Sequence, residues 1–239
     1  MRVLLVAAVA VLAVVGGPEE SPFTVRDLFK SSRPDALRVL FIGNSHTFMN
    51  DLPVVFGKLV RSNEPGRELA ITDVTFGGIT LADHLRDGTA ARVIARERWE
   101  YVVLQERRFT PAEDPAGFRA SVVAFDALIR RAGAKTVLYE VPRADENPGT
   151  SHARYVDAAA TAHAILVPAA VAWSRALTAD SKLRLYQADG YHPTPTGTYL
   201  TACVFYTTLL HRTPEGLPPL GMVPADVAAE LQRVASGSP

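Results

Sequence analysis

A serine, a histidine and an aspartate stand where they could form a nucleophilic relay. Ser45 lies in Phe41-Ile42-Gly43-Asn44-Ser45-His46-Thr47, at the exit of an apolar run. Gly43 allows the sharp backbone turn that would lift a hydroxyl to the end of a strand. By itself, a serine at such a place is more often a helix cap than a nucleophile. Asp189 and His192, in Ala188-Asp189-Gly190-Tyr191-His192-Pro193, change that weighting. Spaced three apart around a glycine, the carboxylate can fold back to accept the imidazole Nδ1–H. Nε2 is then left to take the serine proton. The chemistry open to such a set is acyl transfer. That reaction needs fixed N–H donors for the oxyanion that develops. The backbone N–H groups of Ser45 and of Gly78, in the turn Gly77-Gly78, are the candidates.

These residues must be held by regular elements. Leu37 to Ile42 is a continuously apolar strand, of the kind a parallel sheet buries on both faces. Further strands are expected over Leu69–Val74, Tyr101–Leu104, Thr136–Glu140 and Ala164–Val167. Helices are expected between them: from an Asn50 or Asp51 cap, with Pro53 in the first turn, to Arg61; over Leu81–Arg98 with a break near Gly88; and over Asp114–Ala132, His152–Ala162 and Ala169–Leu177. Helices over Thr196–Leu210 and Pro224–Val234 close the chain. Strands alternating with helices predict a parallel sheet covered on both faces, with its ligand site at the carboxyl ends of the strands. Ser45, Gly77-Gly78 and Gln105 each follow a predicted strand.

Composition bounds the rest. The chain has 239 residues, 48% hydrophobic and 21% charged, with a formal net charge of zero. This suits one globular domain with a sizeable core. No dense Lys/Arg run is present, so a nucleic-acid partner is not expected. Arg107-Arg108 and Arg130-Arg131 read as solvated loop or helix ends. Cys203 is the single cysteine and sits in an apolar run, as a small buried hydrophobe. Arg2, the apolar stretch Val3–Val15 and Gly16-Gly17 predict a secretory signal peptide over residues 1–17. The stretch is short of the ~20 residues of a membrane span. A linker is expected over 18–34 and the catalytic domain over 35–239. The protein is therefore expected to be secreted or periplasmic, with an uncleaved signal anchor as the alternative.

Together these blocks resemble the SGNH (GDSL-type) hydrolase superfamily of esterases and lipases, over about Leu37 to Leu210. Gly43-Asn44-Ser45 matches its Gly-Asp-Ser block. Gly78, with Gly77 as second choice, matches the glycine after its second strand, and Asp189 to His192 matches its Asp-x-x-His block. The resemblance implies an α/β fold: a three-layer α/β/α flavodoxin-like sandwich with a central, mainly parallel five-stranded sheet. It also implies a Ser45-His192-Asp189 triad and no cofactor. There are two departures. Asn44 replaces the family Asp, and the family's Gly-x-Asn-Asp block is missing after the third predicted strand, where Val103-Leu104-Gln105-Glu106-Arg107 stands. Gln105 is expected either to supply the absent oxyanion donor or to be a structural amide bonded to nearby backbone.

Other polar residues are weighed against that frame. Asn44, Gly77, Glu106, Arg107, Glu140 and Arg143 are candidates to line the cleft, the charged ones equally readable as surface ion pairs. His46 is expected to point away from Ser45, as a pocket or capping residue, and His84 to be a helix-face residue. His152, His163 and His211 have no partner at ligand spacing, so a metal site is not expected. Thr47 stands where an α/β-hydrolase elbow needs its second glycine, which disfavours that class. The expected function is hydrolysis of carboxylic esters through an acyl-enzyme. Short acyl groups such as acetyl, on a small molecule or glycan, are the preferred substrates. A lipase or thioesterase is one alternative, and a non-catalytic exported carbohydrate-binding protein is another.

Overall fold

A computed structural model describes residues 22–220 and 223–237 of the chain. The expected signal peptide and the first residues of the expected linker lie outside the described residues. In chain order the elements are β1 (Thr24–Phe29), β2 (Leu37–Gly43), a one-turn helix α1 (Ser45–Phe48), α2 (Leu52–Asn63) and β3 (Leu69–Thr75). Next come α3 (Leu81–Asp87), α4 (Thr89–Arg96), β4 (Tyr101–Leu104), α5 (Thr110–Glu113), α6 (Pro115–Arg131) and β5 (Lys135–Tyr139). The chain continues through α7 (Pro148–Thr161), β6 (Ile165–Val167), α8 (Ala169–Ala179), α9 (Pro195–Leu210) and α10 (Ala225–Ser236).

β2 is the hub of the sheet. Its successive side chains point to opposite faces, and both faces are covered. Leu37, Val39 and Phe41 join one core with Phe56 of α2, Trp173 of α8, Phe205 of α9 and Leu231 of α10. Leu40 and Ile42 join the other with Leu81 of α3, Val93 of α4, Phe125 of α6 and Tyr155 of α7. Burial on both faces is why this strand reads as an unbroken apolar run. The sheet order is β1-β3-β2-β4-β5-β6, and β3-β2-β4-β5-β6 are all parallel. The parallel strands start at β2 in the middle and wind outward both ways. The crevice outside the carboxyl ends of β2 and β4 is therefore the switch point where such sheets bind ligands.

The sheet has six strands, not the five expected. The additional one, β1, falls within the segment expected to be a linker and pairs antiparallel with β3. Its sequence Thr-Val-Arg-Asp-Leu-Phe contains no apolar run, because an edge strand half open to solvent needs none. What places it is distant in sequence. Asp73 is fully buried in β3 and needs a cation. Arg26 supplies it, with Nε 3.0 Å from Asp73 Oδ1, and reaches Asp51 at 2.9 Å.

The start of α2 also differs from expectation. Neither Asn50 nor Asp51 caps the helix through its side chain. Both adopt the left-handed region, with φ of 52° and 51°. Asn and Asp tolerate that region better than other non-glycine residues. Their side chains are spent elsewhere: Asp51 on Arg26, and Asn50 on the loop that precedes α9. α7 begins at Pro148, ahead of the expected His152, because Asn147 caps it by accepting from the Gly149 and Thr150 N–H groups.

α9 is buried along most of its circumference, as expected of a helix enclosed by the sheet and by α2, α8 and α10. Cys203 is fully buried within it. Gly197 allows its first turn to approach α8. A Cβ there would sit 2.4 Å from the Leu185 carbonyl oxygen and 2.5 Å from the Trp173 ring. Gly197→Ala should therefore cost ~3 kcal/mol, the upper end for overpacking, since a backbone atom must yield. Urea unfolding would measure it. A loss under ~1 kcal/mol would show that the α8–α9 contact relaxes freely.

Candidate active site

The end of β2 builds the site. Gly43 is its last residue, and a Cβ there would lie 2.5 Å from both Gln105 Oε1 and Thr47 Oγ1. The absence of a side chain is what lets the turn sit against Gln105. Asn44 then caps α1, its Oδ1 accepting from the His46 N–H at 3.3 Å. Its Nδ2 donates to the Ile79 carbonyl at 2.9 Å. One side chain thus ties the serine turn to the loop holding Gly77 and Gly78. Ser45 is the first residue of α1, where a backbone N–H has no partner inside the helix.

The structure brings Ser45, His192 and Asp189 together across the sheet edge. His192 Nε2 lies 2.9 Å from Ser45 Oγ, and Nδ1 lies 2.7 Å from Asp189 Oδ2. Asp189 Oδ1 accepts from the N–H groups of Tyr191 and His192, both at 3.0 Å. Those bonds, the Tyr191 N–H first and then the His192 ring and N–H, hold the carboxylate at about 2. It is therefore ionised at neutral pH and fixes the imidazole with Nδ1 protonated. The loop is pinned from outside as well. Asn50 Nδ2 donates to the Pro193 carbonyl at 2.8 Å, and Gln187 Nε2 donates to the same oxygen at 2.9 Å. Thr194 caps α9 immediately afterwards.

Gly77 and Gly78 flank Ser45 in the same cleft, of about 250 Å³. Gly78 has φ +73°, a conformation in which glycine is unstrained. Its backbone N–H and that of Ser45 are the two oxyanion candidates that line this cleft.

Gln105 does not join them. Its Oε1 accepts from the Asn44 N–H at 2.8 Å and from Thr47 Oγ1 at 2.9 Å, which fixes which end of the amide is oxygen. Its Nε2 donates to Asn44 Oδ1 at 3.0 Å and to the Glu106 carbonyl at 2.6 Å. Both N–H bonds are spent beneath the turn and none points into the cleft. Of the two expectations, the structural amide is the one observed, and the partner it holds is the serine turn.

Several expected cleft residues lie elsewhere. Glu106 is buried below the site, where it accepts from the Leu81 and Arg107 N–H groups. Burial pushes its carboxyl up to about 7 against those hydrogen bonds. Glu140 is fully buried and bonded to His152 Nδ1 at 3.0 Å. Arg143 turns to Asp145 and Glu146. The cleft wall after β4 is instead made by Arg107, as expected, and by Arg108, which sequence reasoning placed in solvent. Tyr191 completes the wall beside His192. The sequence marks Asn50 only as a helix cap, Thr47 only as a departure from the elbow pattern and Tyr191 not at all, because their roles here depend on partners more than fifty residues away.

Two further histidines are buried close to the serine turn. His46 takes the pocket role expected of it: it lines the cleft, its ring 5.6 Å from the His192 ring and its Nε2 donating to the Tyr191 carbonyl at 3.2 Å. His84 lies on the buried face of α3, its Nε2 donating to the Gly43 carbonyl at 2.9 Å. Burial, first, lowers both from 6.5 to about 4, and the neighbouring His192 adds to this for His46. Both are neutral in the fold, and the unfolded chain binds protons first as pH falls. Their contribution is thus complete above about 6.5 and is lost as pH falls toward 4, at ~3 kcal/mol each. Glu106 has the opposite sign. Its neutral form is favoured in the fold, so its contribution is complete below about 4.5 and is lost as pH rises through 7. His84→Gln should flatten the fall of urea-unfolding free energy between pH 6.5 and 4.5. An unchanged slope would show that His84 already binds its proton in the native state.

Comparison with known proteins agrees with this architecture. No protein-family model and no curated protein matches the sequence. Among solved structures, a protein from Slackia heliotrinireducens assigned to the SGNH hydrolases is 30% identical, with a TM-score of 0.59, covering 73% of this chain and 99% of that one. A DUF4886 family protein from Bacteroides uniformis superposes with a TM-score of 0.70 at 19% identity, covering 84% and 94%. Axe2, an acetylxylan esterase from Geobacillus stearothermophilus, gives 0.58 at 16% identity, covering 73% and 94%. The last two share the fold. The first shares the fold and nearly a third of its residues over its whole length, and with it this chain belongs to the SGNH hydrolase superfamily.

Proposed function

We propose that the protein hydrolyses short-chain, principally acetyl, esters through an acyl-enzyme on Ser45. The reading rests on the hydrogen-bonded series Asp189–His192–Ser45 at the mouth of the switch-point cleft. His192 Nε2 takes the Ser45 proton as Oγ bonds to the carbonyl carbon. The backbone N–H groups of Ser45 and Gly78 hold the oxyanion. The carbon–oxygen bond to the alcohol then breaks, and the departing alkoxide takes the proton from His192. Water next attacks the acyl carbon and gives its proton to His192. The acyl–Oγ bond breaks, and Ser45 recovers the proton as the acid leaves.

The small cleft supports a short acyl group, since 250 Å³ is below the usual range for sites that enclose larger ligands. A carbohydrate alcohol is supported by the signal-like N-terminus, and by the shared fold of an acetylxylan esterase. A panel of acetylated sugars and p-nitrophenyl esters of increasing chain length tests both points, with fluorophosphonate labelling alongside. The expected result is labelling at Ser45 and a kcat/KM that falls beyond acetyl and propionyl. Preference for long chains would favour a lipase or thioesterase. Absence of both labelling and turnover in folded protein would leave a non-catalytic carbohydrate binder.

A further inference from the structure

Arg108 is the least satisfied charged group in the protein's cleft. It lines the cleft with Ser45 and His192, yet its side chain is only 7% exposed. One nitrogen, Nη2, meets Asp145 at 2.7 Å, while Nε and Nη1 are buried without a hydrogen-bond partner. Rings take up part of its surface: Phe109 at 4.5 Å and Tyr191 at 5.2 Å from the guanidinium carbon. Ring faces attract a guanidinium but do not accept its in-plane N–H bonds well. A buried guanidinium with two donor atoms idle is costly unless an acceptor arrives.

The surrounding charge points the same way. Asp145 is shared with Arg143, and Glu146 is shared between Arg143 and Arg154. Three guanidiniums thus share two carboxylates. The cleft lining itself holds Arg107 and Arg108 and no carboxylate. Arg108 stacks on Tyr191, next to the histidine that would return a proton to the leaving alcohol, and so lies on the alcohol side of the cleft.

We propose that Arg108 forms a carboxylate-binding subsite on the leaving-group side, so that the preferred ester carries a carboxylate on its alcohol portion. The inference rests on the ester-hydrolase reading with Ser45 as nucleophile. A carboxylate oxygen reaching one of the idle nitrogens would accept a charge-assisted hydrogen bond, and a bond of this kind is worth a tenfold or larger preference. In combination with a carbohydrate alcohol, the substrate class becomes acetylated acidic sugars.

The test compares two acetyl esters of equal size, 3-acetoxybenzoate and 3-acetoxybenzamide, each normalised to its uncatalysed hydrolysis. The wild-type protein should favour the carboxylate by about tenfold or more in kcat/KM. Arg108→Gln should bring that ratio to about twofold or below, and Arg108→Lys should leave it between the two. A wild-type ratio near unity, or a ratio unchanged in Arg108→Gln, overturns the proposal. If Arg108 variants do not fold, inhibition of p-nitrophenyl acetate hydrolysis in the wild-type protein decides. 3-Hydroxybenzoate should then inhibit about tenfold more tightly than 3-hydroxybenzamide, and equal inhibition overturns the subsite. Turnover of the neutral amide ester that disappears in Ser45→Ala preserves the ester-hydrolase reading whatever the ratio. No turnover of either ester defeats both.

Discussion

Ser45→Ala should lower kcat/KM on p-nitrophenyl acetate by about 10⁴-fold or more, with little change in thermal midpoint. The size follows from the geometry. His192 Nε2, 2.9 Å from Oγ, has no other acidic proton on the protein to take at that place, and without Oγ no acyl-enzyme forms. What remains is the oxyanion site and a bound water, which act alone far more weakly. The fold should be indifferent, because Ser45 is half-buried at the rim and its side chain bonds to His192 alone among the described residues. His192→Ala should cost nearly as much, and the double variant little more than either single one, since the two act as a unit. Residual activity within tenfold of wild type, in protein free of contaminating esterase, would remove Ser45 from the mechanism.

Gln105→Ala should be damaging in a different way. The variant strips acceptors from the Asn44 N–H and Thr47 Oγ1, and donors from Asn44 Oδ1 and the Glu106 carbonyl, all in a buried pocket. Unsatisfied buried groups and the cavity together should cost ~3–5 kcal/mol. With Asn44 released, the serine turn loses its alignment, and kcat should fall about 100-fold while KM moves little. The rate of fluorophosphonate labelling at Ser45 should fall in parallel, which lost stability alone would not produce. Gln105→Glu keeps the acceptor oxygen for Asn44 and Thr47 and should recover part of that labelling rate. An oxyanion donor predicts something else: kcat would fall with the thermal midpoint intact. That outcome would return Gln105 to the role the structure denies it.

The Gln105 case shows where reading the chain stops. Its position after the third predicted strand was enough to bring it to the sheet edge. Whether its amide faces substrate or the serine turn depends on Gly43 and Thr47, about sixty residues earlier, leaving a gap of the right shape. Arg108 is a parallel case. In sequence it is half of an Arg-Arg pair of the kind that ends in water, and beside its neighbour Phe109 it is the distant Tyr191 and Asp145 that enclose it. β1 escaped notice because an edge strand is placed by its neighbour's backbone and by one ion pair, and not by an apolar pattern.

What the chain determines by itself is local and periodic. Unbroken apolar strands, helices with polar caps and glycines at the turns specify a doubly wound sheet. The order of Gly43-Asn44-Ser45, Gly78 and Asp189-to-His192 delivers those residues to one edge of it. Period and order suffice for this because each strand's burial and each turn's backbone are dictated by neighbouring residues. The tertiary structure decides which way each polar side chain on that edge faces. Hydrogen bonds and ion pairs at Gln105, His84, Asn50 and Arg108 are made to partners far away in sequence, so their direction is set only once the packed layers bring donor and acceptor together.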